Sequence, residues 1–174
     1  MTKNFEMNLK FEEEVIVSEK RAIHIRNHKS ELEKLGKVDI KINKDKNLIT
    51  VVSTNVEKAW LAKQVIIAIS RGFNFKIAEK LFNPEVGYVQ LNLRDYGGKN
   101  KKQLTRLKSR VIGRNGSTKH KIQQKTGTNI SISGRTISLI GEPMRIELAR
   151  KTIEKLLSGA KHSSAYWFLK EQLK

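Results

Sequence analysis

Short stretches in which hydrophobic and polar residues alternate occur in both halves of the chain, and they predict β-strands. In "KVDIKI" the apolar side chains of Val38, Ile40 and Ile42 fall on every second position, so all three would lie on one face of a strand. The polar turn "NKDKN" separates this strand from "LITVVS", and together they predict a hairpin. In the second half, "NISIS" and "TISLIG" flank the short turn "GR" in the same way. Two further strands are predicted, around Val15–Val17 and from Tyr88 or Val89 to Leu93.

Longer segments carry hydrophobic residues at helical spacing. The segment "TNVEKAWLAKQVIIAISRG" predicts a helix that is capped by Thr54 or Asn55, ends at Gly72 and buries Trp60 on its apolar face. "EPMRIELARKTIEKLLSG" predicts a second long helix, with Pro143 in its first turn. Shorter helices are predicted between the first two strands of each half. They are "KRAIHIRNHKSELEKLG" in the first half, and "KNKKQLTRLKSRVIG" followed by "STKHKIQQKTG" in the second, where Ser117 or Thr118 is the expected cap.

The two halves therefore have the same order, strand–helix–helix–strand–strand–helix, which predicts a duplicated module. Their long helices match at an offset of 87 positions. The matching residues are Leu61, Ala62, Ile66 and Gly72 in the first half and Leu148, Ala149, Ile153 and Gly159 in the second. The segment "NFKIAEKLFNPE" predicts a connecting helix that ends before Pro84. A last amphipathic helix, "SSAYWFLKEQL", is expected to be capped by Ser163 or Ser164.

Charge narrows the choice of partner. The 174 residues include 35 Lys and Arg against 17 Asp and Glu, which gives a net charge of +18 and a pI near 10.2. Such a surface repels itself unless a partner neutralises it, so a polyanion is expected. Nucleic acid is the first candidate and an anionic membrane surface the second, while a solvated lysine-rich surface is the alternative. From residue 94 to residue 125 there are eleven Lys and Arg and one acid, Asp95.

Other features exclude several classes of protein. The chain has no cysteine, which excludes disulfides, zinc ribbons and thiol catalysis. The first ten residues are polar and unlike a signal peptide, and the apolar stretch from Ala59 to Ile69 is too short to span a bilayer. We therefore expect a soluble, intracellular protein. The four histidines do not pair with carboxylates at metal-ligand spacing, and no catalytic constellation is present, so we expect no metal, no cofactor and no enzymatic activity.

Two glycines mark the junction of the two short helices in the second half. Gly113 and Gly116 enclose Arg114 and Asn115, and a helix follows directly. Glycines of this kind allow a sharp turn, and the main-chain N–H groups of such a corner, next to a helix N-terminus, suit a phosphate. A P-loop needs four residues between its glycines and a dinucleotide fingerprint needs a third glycine, where this chain has Lys119, so both of these motifs are excluded.

A two-residue spacer between glycines that join two helices is the signature of the KH domain, which holds about four nucleotides of single-stranded RNA at its GXXG loop. The second half resembles the partner-of-Nob family of KH proteins, which act in small-subunit ribosome assembly. The residues that carry the resemblance are "LRDYGGKN", "RVIGRNGSTKHKIQQKTGTNISISGRTISLIGEP" and "LSGAKHSSAYWFLK". The first half resembles the degenerate N-terminal KH domain of that family in the order of its elements.

The resemblance implies an α+β fold with two tandem KH domains of type I. Each has a three-stranded antiparallel sheet packed against helices, in the order β-α-α-β-β-α. The implied organisation is a degenerate KH domain over residues 1–73, a connector helix over 74–85, and a KH domain with the GXXG loop and a C-terminal helix over 86–174. The implied location is cytoplasmic, or nucleolar if the source is eukaryotic.

The resemblance also implies a function. The RNA would be ribosomal RNA of the small subunit, bound in its single-stranded 3′ region, and the protein would assist pre-rRNA processing. The implied protein partners are a Nob-type endonuclease and, in archaea, the alpha subunit of translation initiation factor two. The alternative is a protein-interaction adaptor that links ribosomal or initiation factors and touches RNA only electrostatically. A nuclease would need a metal or an acid–base pair.

The expected RNA-binding residues centre on the glycine corner. The four residues Gly113, Arg114, Asn115 and Gly116 would grip the backbone. The further candidates are Ile112, Ser117, Thr118, Lys119, Arg106, Lys108, Arg110, Lys121 and Arg135. Val111, Ile122, Ile130 and Ile132 are expected to form the core and part of a groove floor beside the loop.

Two regions outside this site are also informative. The corresponding place in the first half reads "RNHKS" and has no glycine, so we expect that module to have lost the KH grip. It would either contact RNA through Arg26, His28 and Lys29 or serve in protein docking and spacing. Near the C-terminus, the consecutive residues Tyr166, Trp167 and Phe168 cannot all point inward on a helix, because neighbours are about 100° apart. At least one is expected to dock on the preceding module or on a partner protein.

Overall fold

The computed structural model describes residues 9–43 and 45–173, so residue 44 of the predicted "NKDKN" turn lies outside the described residues. Contacts divide the chain into two compact units. The first unit contains the described residues up to Ser70 together with Asn74–Phe82, and the second contains Arg71–Phe73 and the described residues from Asn83 onward. Residues 74–82 of the predicted connector, which spans 74–85, therefore belong to the first unit, and residues 83–85 belong to the second. The connector contains one turn of α-helix followed by a 3-10 turn.

The first unit contains one three-stranded antiparallel sheet in the order β1-β3-β2, with β3 in the centre. Alternation predicted β2 well, since Ile40 is buried while Asp39 and Lys41 are exposed. The elements are β1 (Phe11–Ile16), α1 (Glu19–Asn27), α2 (Lys29–Gly36), β2 (Asp39–Asn43), β3 (Leu48–Ser53), α3 (Val56–Ser70), α4 (Phe75–Ala78) and the 3-10 turn Glu79–Phe82.

The second unit repeats this topology, with the sheet order β4-β6-β5. The elements of its module are β4 (Gly87–Asn92), a 3-10 turn (Leu93–Tyr96), α5 (Lys101–Ile112), a 3-10 turn (Arg114–Gly116), α6 (Ser117–Thr126), β5 (Asn129–Ser133), β6 (Thr136–Gly141) and α7 (Pro143–Leu157). The additional C-terminal helix is α8 (His162–Glu171). The predicted fold of two tandem KH domains in the β-α-α-β-β-α order is confirmed.

The core of the second unit lies between one face of its sheet and the four helices. Apolar side chains of β4, β5 and β6 meet those of α5, α6 and α7, and Ala165 and Leu169 bring α8 into the same core. Val111, Ile122 and Ile130 are buried there as predicted, and Ile132 packs against the cluster from a half-buried position. Because α8 shares this core, it is an integral part of the second unit.

Three local predictions were wrong. Trp60 is 51% exposed, because α3 is apolar around most of its circumference and the sequence pattern does not identify which face meets the sheet. The N-cap of α6 is Gly116 instead of Ser117 or Thr118. The N-cap of α8 is Lys161 instead of Ser163 or Ser164. Within the described part of the chain, no helix is long and apolar enough to cross a membrane.

Candidate nucleic-acid interface

The GXXG loop, residues 113–116, has an unusual backbone that explains its sequence. Gly113, Asn115 and Gly116 have positive φ angles of 75°, 52° and 79°. Residues with a Cβ atom rarely adopt such angles, whereas glycine adopts them readily. A Cβ atom added to Gly113 would overlap the side chain of Thr118, whereas one added to Gly116 would meet open space. Gly113 is therefore required by both conformation and space, and Gly116 by conformation alone.

The main-chain N–H groups of the loop divide into two pairs. The two glycine N–H groups are used internally, since Gly113 donates to the carbonyl of Ser109 at 2.9 Å and Gly116 to that of Gly113 at 3.2 Å. The sequence prediction that all four amides are available was therefore too broad. Among the described residues, no hydrogen bond uses the N–H of Arg114 or Asn115, and both residues are exposed. These two amides are the ones available to an anionic ligand.

The loop rests on α8, which confirms the prediction that at least one aromatic residue of this helix docks on the preceding module. The Tyr166 hydroxyl donates to Oγ1 of Thr118 at 3.0 Å, and Nε2 of His162 lies 2.9 Å from the carbonyl oxygen of Arg110. Thr118 is only 2% exposed and its hydroxyl accepts from Tyr166, so it supports the loop from within the protein, and its contact with RNA stays a prediction. The residues of α8 that position the loop are thus Tyr166, which the sequence assigned to docking, and His162, to which it assigned no role.

Arg110 was also predicted to contact RNA, and the structure gives it another role. Its Nε donates to the carbonyl of Leu156 at 2.7 Å, and Nη2 donates to that of Ala160 at 2.5 Å. The Leu156 carbonyl belongs to the last turn of α7, where helix carbonyls lack a partner within the helix, and the Ala160 carbonyl lies in the segment between α7 and α8. The guanidinium therefore joins α5 to the end of α7 and to the segment that follows it, which gives Arg110 a structural role, while its contact with RNA stays a prediction.

The remaining predicted residues are all exposed or half-buried. Arg106, Ser117, Lys121 and Arg135 are exposed, while Ile112, Lys108 and Lys119 are half-buried. Lys108 and Ile112 are four residues apart and so share one face of α5, and Arg106 and Arg110 share another. Lys121 lies over the Tyr166 ring, with Nζ 3.9 Å from the ring centroid. Arg135 occupies the β5–β6 turn, where Gly134 has a φ of 56°.

The segment that carries these residues has side-chain charges of one sign. Between residues 96 and 141 the sequence contains no Asp or Glu, so no carboxylate of that segment offsets the cations of α5, the loop and α6. The first turn of α6 follows the loop without a side-chain cap, which leaves the partial positive charge of the helix N-terminus beside Arg114 and Asn115. Exposed amides within a cationic surface are suited to a phosphate backbone.

The segment "LRDYGGKN" fixes the start of α5. Gly98 approaches the backbone so closely that an added Cβ would lie 2.5 Å from the carbonyl oxygen of Leu93. Asn100 and Gln103 then form a capping box at the helix N-terminus. The Tyr96 hydroxyl donates to Oε1 of Glu154 on α7 at 2.9 Å. Burial, followed by this hydrogen bond, raises the pKa of Tyr96 to about 12.

The corresponding helix junction in the first unit is filled by aromatic rings. His28 stacks on Phe75 of α4 with ring centroids 4.6 Å apart, and His24 meets His28 edge-on at 5.0 Å. Nδ1 of His28 lies 2.9 Å from Glu31, and Lys29 pairs with Glu33 at 3.6 Å, while Arg26 is exposed. Burial lowers the pKa of His24, and the positive charges of His28 and Arg21 lower it further. Among the described residues, no cluster of three or more ligands is arranged to hold a metal ion.

Comparison with known proteins agrees with this geometry. A model of the second KH domain of PNO1, described as a eukaryotic type KH domain (KH domain type I), matches residues 90–174. A KH domain-containing protein of Methanocaldococcus jannaschii is 35% identical over 150 residues, which cover 84% of this chain and 65% of that protein. The chain thus spans slightly less than two thirds of that relative's length.

Two solved structures are similar over nearly the whole chain. Dim2p from Pyrococcus horikoshii OT3 superposes with a TM-score of 0.85 at 32% identity, covering 92% of this chain and 99% of that one. A chain of the a/eIF2alpha–aDim2p–rRNA complex from the same organism gives a TM-score of 0.87 at 31% identity, with 98% of both chains covered.

Proposed function

Because the chain belongs to the PNO1/Dim2 family of KH-domain proteins, we propose that it binds single-stranded ribosomal RNA of the small subunit near its 3′ end and assists pre-rRNA processing and ribosome assembly. The observation that carries this proposal is the pair of exposed, unused amides at Arg114 and Asn115, within a segment from residue 96 to residue 141 that contains no Asp or Glu. Their N–H groups would donate to phosphate oxygens while the surrounding cations attract the strand.

The same relatives support the choice of partners. The aDim2p of Pyrococcus horikoshii was crystallised with rRNA and a/eIF2alpha, so we propose both as partners of this chain. The family is named as a partner of Nob, which supports a Nob-type endonuclease as a third partner. In this role the protein holds the RNA in a fixed path and controls access to the cleavage site, and the cleavage itself belongs to the nuclease.

A double substitution in the loop tests the proposal. Arg114→Asp with Asn115→Asp should leave the fold intact, because both side chains are exposed and Asp tolerates the left-handed conformation of residue 115. We expect affinity for the single-stranded 3′ segment to fall about a hundredfold or more, because the two new carboxylates repel the phosphate from the main-chain N–H groups and so prevent two charge-assisted hydrogen bonds of about 1.5–3 kcal/mol each. The measurement is fluorescence anisotropy with labelled RNA at fixed salt.

The chain offers a matched control. In the β2–β3 turn, exposed Lys46 precedes Asn47, which also has a left-handed backbone with φ of 49°. Lys46→Asp with Asn47→Asp changes the net charge by the same amount in the same backbone setting. A loss of affinity equal to that of the loop variant would mean that only overall charge matters, as the adaptor hypothesis requires. Incubation with ribosomal RNA and Mg²⁺ should leave the RNA intact, and cleavage that a carboxylate substitution abolishes would make the protein a nuclease.

A further inference from the structure

A second cationic surface lies beside the loop, between α6 and α8. We call it the α6–α8 groove and define it by Lys121, Lys125, Tyr166, Trp167 and Lys170, which line a cavity of about 510 Å³. We propose that this groove is a second RNA subsite, in which a base of the strand held at the GXXG loop stacks on Trp167 and neighbouring phosphates contact the lysines. This inference rests on the proposed function and extends it to a longer RNA.

Trp167 is the aromatic residue of α8 that is presented to a ligand. Its neighbours in sequence are engaged, since Tyr166 bonds to Thr118 and Phe168 lies 4.7 Å beneath Nζ of Lys155. Trp167 is 67% exposed, and it makes no hydrogen bond or ring contact with any other described residue. A large indole face held open on a well-packed helix is the geometry that base stacking uses.

The charge of the groove favours RNA over a protein partner. Its described lining contains three lysines and no Asp or Glu. The buried centres of protein–protein interfaces are depleted in lysine, because desolvating an ammonium group is costly. A sugar–phosphate strand instead neutralises lysines at its edge and places apolar bases on the aromatic ring.

The groove and the cavity beside the loop share one lining residue. Tyr166 lines both the groove and the cavity beside Arg114 and Gly113, and its ring supports Lys121. From Ser117, which follows the loop, to Lys125 is eight residues, so α6 extends the cationic surface by about 12 Å. KH loops hold about four nucleotides, so a longer strand leaving the loop would reach this surface.

The test compares two lengths of RNA. Labelled segments of four and twelve nucleotides from the 3′ end of an archaeal small-subunit ribosomal RNA are titrated into the full chain and into Trp167→Ala. We expect Trp167→Ala to weaken the twelve-nucleotide RNA about tenfold and to leave the four-nucleotide RNA unchanged, while Trp167→Tyr restores affinity. Trp60→Ala is the matched control, since Trp60 is the other tryptophan of the chain and is 51% exposed on α3.

Fluorescence gives an independent readout. In Trp60→Phe, Trp167 is the sole tryptophan, and we expect its emission to be quenched by the twelve-nucleotide RNA and not by the four-nucleotide one. If Trp167→Ala binds both RNAs with unchanged affinity, or loses affinity equally for both, the proposal of a second RNA subsite is wrong. If Trp167→Ala has no such effect but the loop variant Arg114→Asp with Asn115→Asp still loses RNA affinity, the proposed function is retained and only the second subsite is rejected. If Trp167→Ala instead weakens only a/eIF2alpha binding, the groove docks protein.

Discussion

The hydroxyl of Tyr166 donates a 3.0 Å hydrogen bond to Oγ1 of Thr118, and Thr118 is the residue that a side chain on Gly113 would strike. The buried Thr118 thus contacts both Gly113, the first glycine of the loop, and α8, a helix that is additional to the β-α-α-β-β-α order. The loop conformation is therefore coupled to α8, and α8 has a supporting role in the candidate RNA site.

Removing the Tyr166 hydroxyl should affect both stability and RNA binding. Tyr166→Phe keeps the ring beneath Lys121 but leaves the buried Thr118 hydroxyl without this partner, so we expect a loss of about 1 kcal/mol of unfolding free energy. RNA affinity should fall severalfold because the loop loses a fixed support. Urea unfolding and anisotropy titration measure the two effects. Tyr88→Phe is the control, since the Tyr88 hydroxyl bonds to Gln90 and Ser138, away from the loop. This variant should lower the unfolding free energy and leave RNA affinity unchanged.

The two glycines of the loop should respond differently to alanine. Gly113→Ala adds a methyl group that overlaps Thr118 and requires a disfavoured φ, so we expect it to cost about 2 kcal/mol or more. Gly116→Ala meets open space and should cost only about 1 kcal/mol for the positive φ. Thermal unfolding of the two variants measures whether Gly113→Ala is the more destabilising substitution. Equal destabilisation would show that crowding by Thr118 is unimportant.

The duplicated module could be predicted from sequence because the spacing of apolar residues and the residues that mark the helix ends indicate the same elements in both halves. The long helices α3 and α7 begin and end exactly 87 residues apart, the offset that their apolar residues indicated. The GXXG loop could be located because glycines are required by its backbone. The roles of Arg110 and Thr118 could not be predicted, because a polar residue on an amphipathic helix has the same pattern whether it faces water or a later helix. Only the positions of α8 and of the end of α7 distinguish the two, and both depend on tertiary packing.

Arg110 should behave as a structural residue. Arg110→Gln removes two hydrogen bonds from a charged donor to the end of α7, and we expect unfolding free energy to fall by about 1.5–3 kcal/mol. Arg106→Gln, one turn earlier and exposed, should change stability by less than about 0.5 kcal/mol. If Arg106 contacts a phosphate, its variant should instead lower the salt slope of RNA binding by about 0.7. An Arg110 variant that keeps its stability but loses RNA affinity would show that Arg110 contacts RNA.

Tyr96 should make the second unit sensitive to alkaline pH. Its pKa is raised to about 12 from about 10, so the folded state holds the phenolic proton more tightly than the unfolded state does. The resulting stability is fully present below pH 10 and is lost as pH rises through 12. Tyr96→Phe should lower unfolding free energy by about 1 kcal/mol at pH 7, because the bond to Glu154 is lost. The difference between the two proteins in urea unfolding should then shrink between pH 10 and pH 12, whereas a constant difference would mean that the bond to Glu154 does not control this titration.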